Sequence, residues 1–207
     1  MSKNNAITVQ SYHDEFQTYI DKTSGEVSGS IKMFINAFLA RLAENKGKSS
    51  VILEVGSGPG RDAAFMEALG YKILRTDAAE NFVKYMQQAG YEAHQLDIVH
   101  DLLEQRFDAI YANAVFLHFD DDDFEKALAN VKTMLKPGGI LALSLHKGAF
   151  RGISDHKHSA RYFQEWTEEQ AQSFLTQRGF AVLESLEGKS VSGRNKEWVM
   201  LILQKEA

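Results

Sequence analysis

Not one cysteine occurs among the 207 residues. That excludes disulfide frameworks, thiolate metal sites and cysteine nucleophiles together, and it fits a reducing compartment, so a cytoplasmic location is the expectation. A basic excess is absent too. Lys and Arg number 23 against 28 Asp and Glu, a formal charge of -5 with no Lys/Arg cluster, so a phosphate backbone meets no general attraction and nucleic acid is not expected as a partner. Long apolar runs are missing. No stretch approaches the roughly 20 residues of a membrane span, and the opening MSKNNAITVQSYHDEF has no apolar signal-peptide core, so no membrane partner is expected. Repeats and low-complexity tracts are lacking as well. What remains is one domain, 1–207, whose 44% hydrophobic content suffices for a single buried core.

Within it the pattern alternates. Short apolar runs at 50–55, 71–76, 91–96, 107–112 and 139–146 read as buried strands, and segments of helical spacing at 61–69, 79–89 and 122–135 lie between them. Strand, helix, strand at this pitch predicts right-handed crossovers and a parallel sheet. A further helix starts after Trp166, with Thr167 as N-cap and Gln170 as its capping-box partner. Strands at 179–187 and 196–204 follow, joined by GKSVSGRN, which is too short for a helical crossover and so predicts an antiparallel pair at one sheet edge. Two helical stretches, about 8–22 and 28–46, precede everything; the second carries Ile31, Phe34, Ile35, Phe38, Leu39 and Leu42 on one face.

EVGSGPG, 54–60, sets three glycines at a strand-to-helix turn, where a ligand can touch main-chain atoms because no Cβ intervenes. A P-loop needs Gly-Lys-Ser/Thr, but the chain reads Gly60-Arg61-Asp62. The dinucleotide fingerprint wants a small residue where Arg61 stands, and Glu54 and Asp62 bring negative charge to the place a pyrophosphate would occupy. A ligand with a cationic end suits Glu54 better.

These residues resemble the class I S-adenosylmethionine (SAM) dependent methyltransferases, whose first motif, E/D-x-G-x-G-x-G, is matched by Glu54-Val55-Gly56-Ser57-Gly58-Pro59-Gly60. FDAIYANAVFLHF, 107–119, resembles the family's fourth-strand motif, and LKPGGILALSL, 135–145, the turn and fifth strand of its small-molecule branch. The resemblance implies that Asp77 takes the ribose hydroxyls, that Asp97 receives the adenine amino group between Ala78 and Ile98, and that Asn113 holds the methionine end or shapes the pocket. Together with the element count it implies an α/β fold, a three-layer Rossmann-like sandwich with a seven-stranded, mostly parallel sheet whose last strand is antiparallel. On that plan 1–46 is a helical lid, 50–146 the cofactor-binding core, and 147–207 a substrate-side loop, a helix and the strand pair. The activity implied is in-line transfer of a methyl group from SAM to a small-molecule acceptor. An NAD(P)-binding oxidoreductase and a non-catalytic SAM-binding module are the alternatives. Exocyclic-amine methylation lacks its Asn/Asp-Pro-Pro-Tyr/Phe motif, and covalent pyrimidine methylation lacks its cysteine.

His118 and His146 stand near strand ends bordering the ligand crevice, where a histidine serves either as a general base or as a hydrogen-bonded wall. Tyr12, Phe16 and Tyr19 share a helical face that either closes over the cofactor or packs on the sheet edge. Arg151, Arg161 and Tyr162 fall in the stretch that varies with substrate in such enzymes; an arginine there suits an acidic acceptor. No metal is expected: Asp120 to Asp123 read as a helix start, and Asp155-His156-Lys157-His158 as solvated surface.

Overall fold

The computed structural model describes residues 2–23, 25–47, 49–156, 159–189 and 196–206. Three helices, α1 (Lys3–Asp14), α2 (Phe16–Thr23) and α3 (Gly29–Lys46), precede β1 (Val51–Val55). Then come α4 (Arg61–Ala68), β2 (Lys72–Asp77), α5 (Glu80–Gln88), β3 (Ala93–Gln95), β4 (Phe107–Ala112), a 3-10 turn (Phe116–His118), α6 (Asp121–Met134) and β5 (Leu135–Lys147). The chain closes with β6 (Arg151–His156), β7 (Ser159–Trp166), α7 (Glu168–Thr176), β8 (Phe180–Lys189) and β9 (Glu197–Lys205). No described helix is long and apolar enough to cross a membrane.

The central strands are apolar on both faces, as a sheet covered by helices on both sides requires. Ile52, Ala109, Tyr111, Ile140, Ala142, Met200 and Ile202 pack with Phe34, Ile35 and Phe38 of α3 and Met66 of α4. Their neighbours Leu53, Ile110, Leu141, Leu143, Leu201 and Leu203 pack on the opposite face with Phe124, Leu128 and Val131 of α6 and Leu175 of α7. This period-two division makes three layers. β3, β2, β1, β4 and β5 lie side by side in that order and in parallel. From β1 the chain moves outward to β3, then crosses back to β4, so the carboxyl ends of β1 and β4 flank the switch point where open α/β sheets bind ligands.

All seven expected strands are present, and the last, β9, runs antiparallel to both β5 and β8. The sheet nevertheless has nine strands, because the expected loop after β5 is a hairpin, β6–β7. β4 leaves β5 after the Ala112–Leu143 pair, and the edge it vacates is taken up by β7, through His146–Glu165 and Lys147–Trp166. The first helix also differs from expectation: it starts at Lys3, capped by Ser2 Oγ accepting from Asn5 N, and breaks at Glu15. Its buried residues are Asn5, Thr8 and Ser11, a polar face that gives no apolar periodicity to read. Finally, α3 has Phe34, Ile35, Phe38 and Leu42 fully buried and forms a layer of the sandwich, while α1 and α2 line the ligand crevice.

Candidate active site

The turn after β1 needs its glycines for three separate reasons. Gly56, Gly58 and Gly60 all have positive φ, at 69°, 54° and 81°. A Cβ on Gly56 would overlap Val115, and one on Gly60 would overlap the Arg75 guanidinium. At Gly58 it would sit 3.3 Å from the Tyr19 ring of the covering helix, so here the main chain and the roof meet directly. Ser57 bonds sideways to β2: its N–H donates to Thr76 O (2.8 Å) and its hydroxyl accepts from Thr76 N (3.2 Å).

Asp77, at the end of β2, joins the turn to the next helix. One carboxylate oxygen accepts from Gly58 N and the other from Ala79 N, both at 2.9 Å. Each keeps a lone pair, so the pair of oxygens can receive two vicinal hydroxyls. Burial raises its pKa to about 6, against the pull of those two backbone bonds. Beyond it lies a cavity of about 680 Å³, open mouth included. Ala78, Leu96 and Ile98 line it as apolar walls, and Asp97 joins them as a carboxylate.

Glu54 sits at the opposite side of the turn, 2% exposed, and among the described residues its Oε2 has no hydrogen-bond partner. Burial pushes its pKa up to about 8, and the nearby Asp62 carboxylate pushes the same way; the Ser57 hydroxyl and Arg75 only partly oppose them. Asp62 is fully engaged. It accepts from Tyr111 Oη (3.1 Å), Asn113 Nδ2 (2.9 Å) and Arg61 Nε (2.8 Å). Asn113 is held from its other end by the Ser144 hydroxyl (2.7 Å), which also accepts from Ala114 N (2.8 Å). Ala114 has φ +59°, a left-handed conformation that a residue with a Cβ adopts only when its surroundings impose it. A second cavity of about 1,390 Å³, mouth included, opens here between Glu54, Arg61, Asp62, Trp198 and the start of α3. Tyr19, Val55, Gly56, Asn113 and Ala114 line both cavities and mark their junction.

The roof is aromatic where it faces the site. Tyr12 and Tyr19 pack edge to face on each other and on Phe82 of α5, and both rings line the first cavity. His118 has both ring nitrogens occupied: Nδ1 lies 2.7 Å from Tyr162 O and Nε2 2.9 Å from Tyr12 Oη. A carbonyl only accepts, so Nδ1 carries the proton and the Tyr12 hydroxyl donates to Nε2. Burial drops the His118 pKa to about 3. Its neutral ring accepts from the Tyr12 hydroxyl and so aims that side chain.

The remaining expected substrate residues lie elsewhere. His146 lines neither cavity; its ring stacks on Phe163 and meets Trp198 edge on. Arg151 is directed to Asp121 (3.1 Å) and the Trp166 ring. Arg161 belongs to the roof: its guanidinium lies 4.0 Å above the Tyr12 ring and bonds Ser11 Oγ and Glu15. Tyr162 contributes main chain, its N–H donating to Thr8 Oγ1 (3.1 Å) and its C=O receiving His118. Asp120 caps α6, accepting from Asp123 N. Among the described residues no group of three or more His, Asp or Glu could hold a metal ion, while Lys157 and His158 lie outside them. Site residues that sequence reasoning missed are Asn5, Thr8, Val9 and Phe82, all of which line the first cavity; only Phe82, one turn into the helix after Asp77, gave a signal in its position.

Residues 30–185 match the family model described as a methyltransferase domain. The chain belongs to that methyltransferase family. Solved structures of other methyltransferases share its fold. A 1,6-didemethyltoxoflavin-N1-methyltransferase of Burkholderia thailandensis is 19% identical, with 100% of this chain and 92% of that one covered at a TM-score of 0.76. The magnesium protoporphyrin IX methyltransferase of Synechocystis is 13% identical, with 100% and 99% covered at 0.74. The glycopeptide N-methyltransferase MtfA is 18% identical, with 80% and 94% covered at 0.63. No curated protein matches the methyltransferase sequence.

Proposed function

We propose that this methyltransferase uses SAM as its methyl donor and transfers the methyl group in line to a small-molecule acceptor. The observation that carries the reading is Glu54 Oε2: a buried carboxylate oxygen without a partner, beside a second carboxylate, calls for a cation. The α-ammonium of a methionine moiety meets that need, whereas a pyrophosphate would add charge of the wrong sign. The adenosyl end fits the first cavity, with its ribose on Asp77 and its adenine between Ala78 and Ile98 at Asp97. Support for the donor and for a small acceptor also comes from the similar structures, which hold S-adenosylhomocysteine with 1,6-didemethyltoxoflavin in one case and SAM in another.

Bound in this way, the cofactor supplies a methyl group already activated on a sulfonium. The chain's own residues then have three tasks: to align, to exclude water and to compensate charge. Gly56 and Asn113 form the junction of the two cavities, and Asp62 and Ser144 lock Asn113 in place. Tyr12 and Tyr19 close the roof over that junction. His118 holds Tyr12 and is not needed as a base. The second cavity is the place for the acceptor.

Isothermal calorimetry tests this reading. Micromolar binding of SAM and S-adenosylhomocysteine, with none of NAD(P), is the expected result; binding of the dinucleotide instead would make the oxidoreductase alternative correct. Tight SAM binding with no transfer across a broad acceptor screen would favour the non-catalytic module.

A further inference from the structure

Asn5 is a buried amide from the roof, 3% exposed, at the end of the first cavity where Asp97, Leu96, Ile98 and Ala78 also lie. Its Nδ2 donates to Asp97 Oδ2 at 2.9 Å. A carboxylate only accepts, so the amide has one permitted orientation: NH2 toward Asp97, and Oδ1 turned away from it. Among the described residues nothing donates to Asn5 Oδ1. Asp97 Oδ2 is filled by Asn5 and by His100 Nδ1 (2.9 Å), whereas Oδ1 receives only Val99 N (3.1 Å). The end of the cavity thus offers two acceptor oxygens with capacity to spare, one on the floor and one on the roof.

We propose that Asn5 reads the adenine amino group jointly with Asp97. The inference rests on the adenosyl end occupying the first cavity, as argued above. An exocyclic amino group has two hydrogens and no available lone pair in the ring plane. One hydrogen goes to Asp97 Oδ1 and the other to Asn5 Oδ1, while the Asn5 amide stays tied to Asp97. A ring with a carbonyl at the same position would set an acceptor against two acceptors, which is strongly unfavourable in a buried site. Because Asn5 belongs to α1, the base is read from the roof as well as from the floor: cofactor with the wrong base sets its carbonyl against Asn5 Oδ1. Asn5 is thereby a specificity-determining residue supplied by the cover, distinct from the acid on the floor.

The test compares S-adenosylhomocysteine with S-inosylhomocysteine, which carries oxygen in place of the amino group, by calorimetry on the full chain. Wild type is expected to prefer the adenosyl compound by about a hundredfold or more. Asn5→Ala should weaken the adenosyl compound without weakening the inosyl one, reducing that preference about tenfold. Asn4→Ala cuts the neighbouring tether from Asn4 Nδ2 to Asp120 Oδ2 (2.8 Å); it should affect both ligands by the same factor, as a merely structural loosening of α1 would. If Asn5→Ala also lowers both affinities equally, Asn5 only holds the roof and the proposal is wrong. Wild type that binds both compounds equally overturns the proposal alone, and wild type that binds neither overturns the cofactor reading with it.

Discussion

The floor of the site, from Glu54 to Asp77, is made of main chain and buried carboxylates, whereas its roof is docked through Asn5, Thr8, Ser11 and Tyr12. On the floor Asp77 is held by two backbone N–H groups and Asn113 by Asp62 and Ser144. On the roof, beside the aromatic packing on Phe82, the ties are side-chain hydrogen bonds of a helix whose buried residues are polar. Such bonds stabilise by about 0.5–1.5 kcal/mol each, because the open state satisfies the same groups with water. The expectation is a floor that stays formed without ligand and a roof that opens at a lower free energy than global unfolding. Ligand exchange needs that difference.

The largest expected break in this comparison is on the floor. Asp77→Ala should weaken S-adenosylhomocysteine about a hundredfold or more by calorimetry, since two charge-assisted hydroxyl bonds are lost at once. Next comes Glu54→Gln, with an affinity loss of about tenfold and a sharper signature in pH. The Glu54 pKa is raised from 4.5 to about 8. The folded chain therefore holds a proton that the unfolded chain has released between those values, so this contribution to stability is fully present below 4.5 and is lost as pH rises through 8. Without cofactor, the melting temperature of wild type should fall across that window relative to Glu54→Gln. Cofactor binding near neutral pH should release a proton, seen as a buffer-dependent calorimetric enthalpy in wild type and absent in the variant. The smallest effect belongs to the roof. Tyr12→Phe removes the bond to His118 and should speed hydrogen exchange of α1 amides by about threefold, with the core amides unchanged.

The same contrast explains what was legible in the sequence. Gly56, Gly58, Gly60, Glu54 and Asp77 could be read because main-chain geometry and charge dictate residue type there. The sheet was legible because a strand buried on both faces has to be apolar throughout, as in Val51-Ile52-Leu53 and the run Ile140 to Leu143. The roof was not. Asn5, Thr8 and Ser11 look like solvated helix positions, and only their partners Asp97, Tyr162 and Arg161, far along the chain, give them meaning. The β6–β7 hairpin was missed for a related reason: it takes the edge of β5 that β4 leaves, a vacancy of topology that no local pattern announces. Arg161 and Tyr162 were singled out only as part of a stretch that varies with substrate; the hairpin brings them against α1.

Tyr162 meets both Thr8 and His118 through its peptide group alone. A bracket of that kind is indifferent to the side chain it carries, so exchanging the phenol at this position should leave the closure intact. What it does not tolerate is displacement: moving β7 away from α1 would carry the Tyr162 N–H and C=O off Thr8 and His118 and leave helix and histidine without their anchor.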